Sequence, residues 1–101
     1  MALFKSSTST LITGKAWYYR CMGMTHWLRG ERQKAQHWWE KALSLAQTSQ
    51  MRYEETIIRV LIAQHITTNA TERRAALQNA YAIFKQIGAK YDENRLREML
   101  N

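Results

Sequence analysis

Small and large side chains alternate at helical spacing along residues 16–42, and this alternation constrains the fold more than any other feature of the sequence. The alternating positions are Ala16, Tyr19, Gly23, His26, Gly30, Ala35, Trp39 and Ala42. A small residue on one helix lets a second helix come close, and a large residue fills the space beside it. The pattern therefore predicts a tightly packed helical hairpin with Gly30 in its turn.

The composition favours an all-α fold. The 101 residues include no proline and only four glycines, whereas sandwiches and barrels need both residues in their many turns. Hydrophobic residues make up 46% of the chain, which is too much for a disordered segment. A chain of this length is expected to form one small domain, too short to enclose a large enzyme cleft.

Apolar residues recur at helical spacing along most of the chain. Residues 1–10 are rich in serine and threonine, and we expect them to form a flexible lead-in to a helical domain over residues 11–101. The domain divides into a first hairpin (about 11–48), a second hairpin (about 50–88) and a capping helix (about 90–100). The prediction is therefore four main helices and a shorter fifth.

Individual helix ends carry further signals. The first helix is expected to begin within residues 8–13, and Gly88 is expected to end the fourth. Thr71 is typical of the start of that fourth helix. In the capping helix, Asp92 and Glu93 are expected on the exposed side.

The third helix is expected over residues 51–67, although this segment is rich in β-branched residues. About seventeen residues without glycine or proline are too many for a typical strand. Glu54 and Glu55 fit the first turn of a helix, where the helix dipole favours negative charge. Neighbours on a helix point in different directions, so these two residues do not suggest an acid–base pair.

Residues 16–48 resemble a tetratricopeptide repeat. The resemblance lies in the spacing of Tyr19, Met22, Gly23, His26, Ala35, Trp39 and Ala42. Residues 50–88 resemble the repeat more loosely, because Ile57 stands where the repeat has a small residue. The resemblance implies antiparallel helical hairpins stacked as a short right-handed solenoid of about two units.

The end of the second unit is similar to the C-terminal repeats of bacterial signalling ATPases and cyclases. The shared pattern consists of Ala80, Ile83, Phe84, Gly88 and Ala89. This similarity implies an alternative function, in which the chain is a sensory or regulatory fragment of a larger signalling ATPase or cyclase.

The tetratricopeptide family binds its partners on the concave surface formed by the first helix of each unit. The resemblance therefore implies a groove on the first and third helices, lined by Trp17, Arg20, Met24, Trp27, Leu28, Met51, Glu54, Ile58 and Leu61. Aromatic, methionine and arginine side chains are enriched in protein interfaces. The main hypothesis is therefore a non-catalytic scaffold that binds a partner peptide or helix. The alternative is that Trp17, Met24 and Trp27 pack in the core and bind no partner.

Two features refine the expected partner. Repeats that hold a peptide carboxylate use lysine and asparagine, but here Met24 stands where the asparagine is needed and only Arg20 offers positive charge. The groove therefore favours an apolar or helical peptide with one acidic group. The open edge of a short solenoid stays apolar, which also predicts self-association through that edge.

Basic residues suggest a function of a different class. The net charge is +7, and the candidate contacts to nucleic-acid phosphates are Arg29, Arg32, Lys34, Arg73 and Arg74. Exposed aromatic residues beside them would stack on bases. These cations are interleaved with glutamates, as in an ordinary solvated face, so RNA binding is the alternative to the groove.

The sequence gives no positive sign of catalysis, a cofactor or a metal site. Cys21 and His26 are five residues apart and point in different directions on a helix. Gly14 and Lys15 lack the earlier glycine and the following serine or threonine of a phosphate-binding loop. We therefore expect that the chain is not an enzyme.

The sequence has one cysteine and no segment typical of a secretory signal or a membrane-spanning helix. These features predict a cytoplasmic protein.

Overall fold

The computed structural model describes the backbone of residues 2–101 and the side chains of residue 11 and residues 14–101. This part of the chain forms five helices: α1 (Ala2–Leu28), α2 (Arg32–Thr48), α3 (Arg52–His65), α4 (Ala70–Ile87) and α5 (Lys90–Leu100). The described backbone contains no strand, which confirms the all-α class. Across the same residues, no helix combines the length and hydropathy that crossing a membrane requires.

The helix α1 begins earlier than the sequence predicted. The expected start lay within residues 8–13, whereas the helix begins at Ala2 and takes in the segment expected to be a lead-in. Serine and threonine disfavour a helix by only about 0.5 kcal/mol each relative to alanine. No glycine or proline precedes Gly14, so no strong helix breaker interrupts the segment. The side chains of residues 1–10, 12 and 13 lie outside the described residues.

Gly30 and Gly88 end α1 and α4 in the same way. Both glycines are left-handed, with φ of 78° and 79°. In each turn the residue after the glycine donates its amide to the carbonyl five residues back, at 2.9 Å. This bond satisfies a carbonyl at the end of the helix, and glycine adopts the positive φ without strain from a Cβ atom. Both predicted helix ends are confirmed.

The start of α4 is capped by Asn69. Its side-chain oxygen accepts a hydrogen bond from the amide of Glu72 at 3.0 Å. The sequence had instead predicted the start at Thr71, two residues later, but α4 already includes Thr71 in its first turn. Asparagine is among the best residues for this role because its short side chain reaches an amide that has no partner inside the helix.

Replacing Asn69 by alanine is expected to lower the free energy of unfolding by about 1 kcal/mol, because the Glu72 amide loses its acceptor. The matched control is Thr71→Ala, which should change stability by less than about 0.5 kcal/mol. Urea unfolding followed by circular dichroism measures both variants. Equal losses would contradict the role of Asn69 as the cap.

The chain divides into two compact units, Met1–Glu55 and Thr56–Asn101, with the boundary inside α3. In the first unit α1 packs against α2, and the buried residues include Ala16, Ala35, Trp39, Ala42 and Ala46. In the second unit α4 packs against α5, and one buried cluster consists of Val60, Ala63, Leu77, Ala80, Phe84 and Leu96. Each unit therefore has buried residues of its own.

Asp92 and Glu93 are buried, so the prediction that they are exposed is wrong. Arg97 donates a hydrogen bond to the Glu93 carboxylate at 3.0 Å, and Arg95 approaches the Asp92 carboxylate at 3.9 Å. Both acidic residues lie in the first turn of α5, where the helix dipole favours negative charge. The arginines and the dipole offset part of the lost contact with water, and Oε1 of Glu93 remains buried without a hydrogen-bond partner among the described residues.

Candidate functional site

Gly23 is the point of closest approach in the α1–α2 hairpin. A Cβ atom placed on Gly23 would lie 2.3 Å from Cδ1 and Nε1 of Trp39, far inside van der Waals contact. The Trp39 side chain is fully buried, and its Nε1 donates a hydrogen bond to the Arg20 carbonyl at 3.1 Å. The hairpin therefore has the small-against-large packing that the sequence pattern predicts.

Five of the predicted groove residues recur at helical spacing along one side of α1, and we call them the α1 face. They are Trp17, Arg20, Met24, Trp27 and Leu28. Trp17 and Leu28 are exposed, at 55% and 78%, and the other three are half-buried. The Trp27 ring centre lies 6.3 Å from that of Trp39, so Trp27 packs partly on the hairpin core. Trp17 presents an aromatic surface to solvent on this side of α1.

Two further groove residues, Met51 and Glu54, also belong to the first unit. Arg20 donates from Nε to Oε2 of Glu54 at 2.5 Å, across 34 residues of sequence. Met51 and Glu54 line a shallow surface depression of about 250 Å³. The ion pair therefore connects the beginning of α3 to the α1 face.

Ile58 and Leu61, the last two residues of the predicted groove, belong to the second unit. Ile58 is fully buried, so its side chain offers no surface to a partner. Leu61 is half-buried. Of the nine predicted groove residues, the α1 face, Met51 and Glu54 therefore belong to the first unit, and Ile58 and Leu61 belong to the second.

Three of the predicted phosphate contacts lie in the first unit. Arg29, Arg32 and Lys34 are exposed at the turn between α1 and α2 and the start of α2. Lys34 donates to the Glu31 carboxylate at 3.1 Å, so part of this positive charge is already balanced.

The other two predicted phosphate contacts lie in the second unit. The Arg73 guanidinium donates to the carbonyls of Ala63 and Thr67, at 3.2 Å and 2.8 Å. Arg73 thus satisfies backbone groups near the C-terminal end of α3. Arg74 is exposed and lines a shallow depression of about 470 Å³ on α4.

His26 joins the turn after α1 to the face of α2. Its Nδ1 lies 2.9 Å from Oε1 of Glu31, and its ring stacks on Trp38. Hydrogen bonds with His26, which has the larger effect, and with Lys34 lower the pKa of the Glu31 carboxyl below its ordinary value.

Among the described side chains, no three histidine, cysteine, aspartate or glutamate residues are placed to hold a metal ion together.

A second group of side chains on the hairpin, which we call the Lys–aromatic cluster, consists of Lys15, Tyr18, Tyr19, Trp38 and Lys41. The ring centres of Tyr18, Tyr19 and Trp38 lie between 5.6 and 6.2 Å from one another. The Lys41 ammonium lies 4.7 Å from the Tyr19 ring centre and 5.2 Å from that of Trp38. Lys15 lies 5.9 Å from the Tyr19 ring centre. The sequence signal for this cluster is the spacing of three or four residues between each lysine and a ring on its own helix.

The α1 face and the Lys–aromatic cluster are two different surfaces of the first unit. No protein-family model matches the chain, and neither a curated protein nor a solved structure is significantly similar to it.

Proposed function

We propose that this chain is a non-catalytic protein-binding module that holds an apolar peptide or an amphipathic helix on the α1 face. One observation carries the proposal: Trp17 is 55% exposed, while Trp39 of the same hairpin is fully buried. Tryptophan is among the residues most enriched at the energetic centres of protein interfaces. Met24 and Trp27 lie on the same side of α1 and give the surface the apolar and adaptable character that such centres have.

The spacing of the α1 face suits a helical partner. The face extends from Trp17 to Leu28, which corresponds to about 16 Å along the helix axis. An amphipathic helix presents its apolar anchors at intervals of three and four residues, the same intervals that separate Arg20, Met24 and Trp27. A partner of about three helical turns would therefore cover the α1 face.

The proposal includes a tetratricopeptide-like arrangement of the hairpins and a cytoplasmic location. The close approach of Gly23 to Trp39 supports the first, because the repeat pattern requires a small residue against a large one at this point. The single cysteine of the chain, Cys21, supports the second, since a reducing compartment is where unpaired cysteines are common.

A phage-displayed library of random peptides, selected on the purified chain, tests the proposal. We expect enriched peptides to be apolar or helical. Trp17→Ala should weaken their binding tenfold or more, which is about 1.4 kcal/mol, because the variant removes the main exposed aromatic surface. Binding should change little between about 50 and 200 mM salt, since the contacts are mostly apolar.

Tyr91→Ala is the matched control for this experiment. Tyr91 is an aromatic residue of α5 in the second unit and is 78% exposed, so its removal leaves the α1 face intact. The control should bind the selected peptides like the unmodified chain. A selection that enriches no peptide, or an equal loss in Trp17→Ala and Tyr91→Ala, would overturn the proposal.

A further inference from the structure

The Lys–aromatic cluster combines accessible rings with accessible cations. Tyr18 is 51% exposed, and Tyr19 and Trp38 are half-buried. Lys15 and Lys41 are both exposed. The three rings come from two helices and are held by mutual contacts, so a ligand that stacks on them meets an ordered surface.

The charge around this cluster is positive. The helix α1 contains no aspartate or glutamate, and the single acidic residue of α2, Glu40, accepts a hydrogen bond from Gln36 at 3.2 Å. Among the described side chains, neither Lys15 nor Lys41 is paired with a carboxylate. Both ammonium groups are therefore available to an anionic ligand.

An exposed ring beside unpaired ammonium groups matches the chemistry of a single nucleic-acid strand. An unpaired base stacks on an aromatic side chain with about 1–3 kcal/mol of stabilisation, and the phosphates on either side attract lysines. An acidic peptide would use the two lysines but would leave the Tyr18 ring without a planar partner. A duplex keeps its bases stacked on one another, so it would also leave that ring unused.

We propose that the Lys–aromatic cluster binds single-stranded nucleic acid, with a base stacked on Tyr18 and the neighbouring phosphates held by Lys15 and Lys41. Stacking and phosphate contacts do not distinguish strongly between bases, so binding is largely independent of sequence. The site is separate from the α1 face. It stands whether or not the α1 face binds a peptide.

Fluorescence anisotropy with labelled oligothymidylate and oligouridylate of about 15 nucleotides tests this site. Tyr18→Ala should weaken binding about tenfold and leave its salt dependence unchanged, because it removes stacking alone. Lys41→Gln should weaken binding and also reduce the slope of log K against log salt by about 0.7, the effect of one phosphate contact on a single strand. Comparing the two oligonucleotides shows whether DNA and RNA strands bind alike.

Matched controls separate this site from the general positive charge of the chain. Lys85→Gln and Tyr91→Ala remove an exposed lysine and an exposed tyrosine from the second unit, and both should bind the oligonucleotides like the unmodified chain. Trp17→Ala should also bind them normally. Circular dichroism spectra establish that each variant is folded.

Four results would overturn the proposal. The first is equal loss in Tyr18→Ala and Tyr91→Ala, and the second is duplex binding as tight as single-strand binding. The third is displacement of the oligonucleotide by oligoglutamate of the same length at equal concentration, which would indicate an acidic protein as the ligand. Failure to bind any of these probes would also overturn it, without affecting the peptide experiment on the α1 face.

Discussion

Replacing Gly23 by leucine is expected to lower the free energy of unfolding by about 3 kcal/mol, at the upper end of the range for overpacked cores. The first added carbon would already lie 2.3 Å from two atoms of the Trp39 ring. The ring cannot easily move aside, because it is fully buried and hydrogen-bonded to the Arg20 carbonyl. In a domain of this size the loss corresponds to a fall of about 15 °C in melting temperature, measured by circular dichroism.

Gly14→Leu is the matched control in the same helix, because nothing lies within 4 Å of a Cβ atom at Gly14. Leucine favours a helix more than glycine does, so this variant should be as stable as the unmodified chain or more stable by about 0.5–1 kcal/mol. A double-mutant cycle gives a second check. Gly23→Ala should lower the free energy of unfolding when Trp39 is present and change it little in a chain that also carries Trp39→Leu, which removes the ring. An unchanged melting temperature for Gly23→Leu would contradict the close packing of the hairpin and the repeat proposal that rests on it.

Replacing Phe84 by alanine is expected to cost about 4 kcal/mol of stability in the second unit. Phe84 is fully buried in the cluster formed with Val60, Leu77 and Leu96. The truncation removes most of a large apolar side chain and leaves a cavity that α4 and α5 can close only in part. Urea unfolding measures the loss. If the slope of the free energy of unfolding against urea concentration is unchanged, the whole effect is a change in stability.

Tyr91→Ala, again an aromatic truncation in the second unit, serves as the control for Phe84. Its side chain is 78% exposed, so the change should stay within about 0.5 kcal/mol. Similar losses in the two variants would show that Phe84 is not central to the core of this unit.

Local features of the fold could be predicted because a few neighbouring residues determine them. Gly30 and Gly88 end helices since glycine adopts a positive φ without strain, and the structure gives both a left-handed conformation. Gly23 faces Trp39 because helical spacing puts small and large residues in register across the hairpin. The start of α1 was predicted too late, since serine and threonine are only weak helix breakers.

Features that depend on distant partners could not be predicted from one sequence. Arg20 and Glu54 are 34 residues apart, and no local pattern pairs them. Asp92 and Glu93 looked like residues of an exposed face, and only the positions of the surrounding helices explain their burial. In the candidate site, the residues of the α1 face were predicted from the resemblance to the tetratricopeptide repeat, whereas the Lys–aromatic cluster requires α1 and α2 to be placed side by side.

The Arg20–Glu54 ion pair changes what a carboxylate on a partner can contribute. Glu54 already accepts a hydrogen bond from Nε of Arg20 and balances its charge, so an incoming acidic group can bond only to the terminal nitrogens of a guanidinium that is already paired. Glu54 also lies in the first turn of α3, where the helix dipole stabilises it. If the α1 face binds a peptide as proposed, an acidic group adds less to the affinity than it would beside an unpaired arginine, and the fit of apolar side chains around Trp17 matters more.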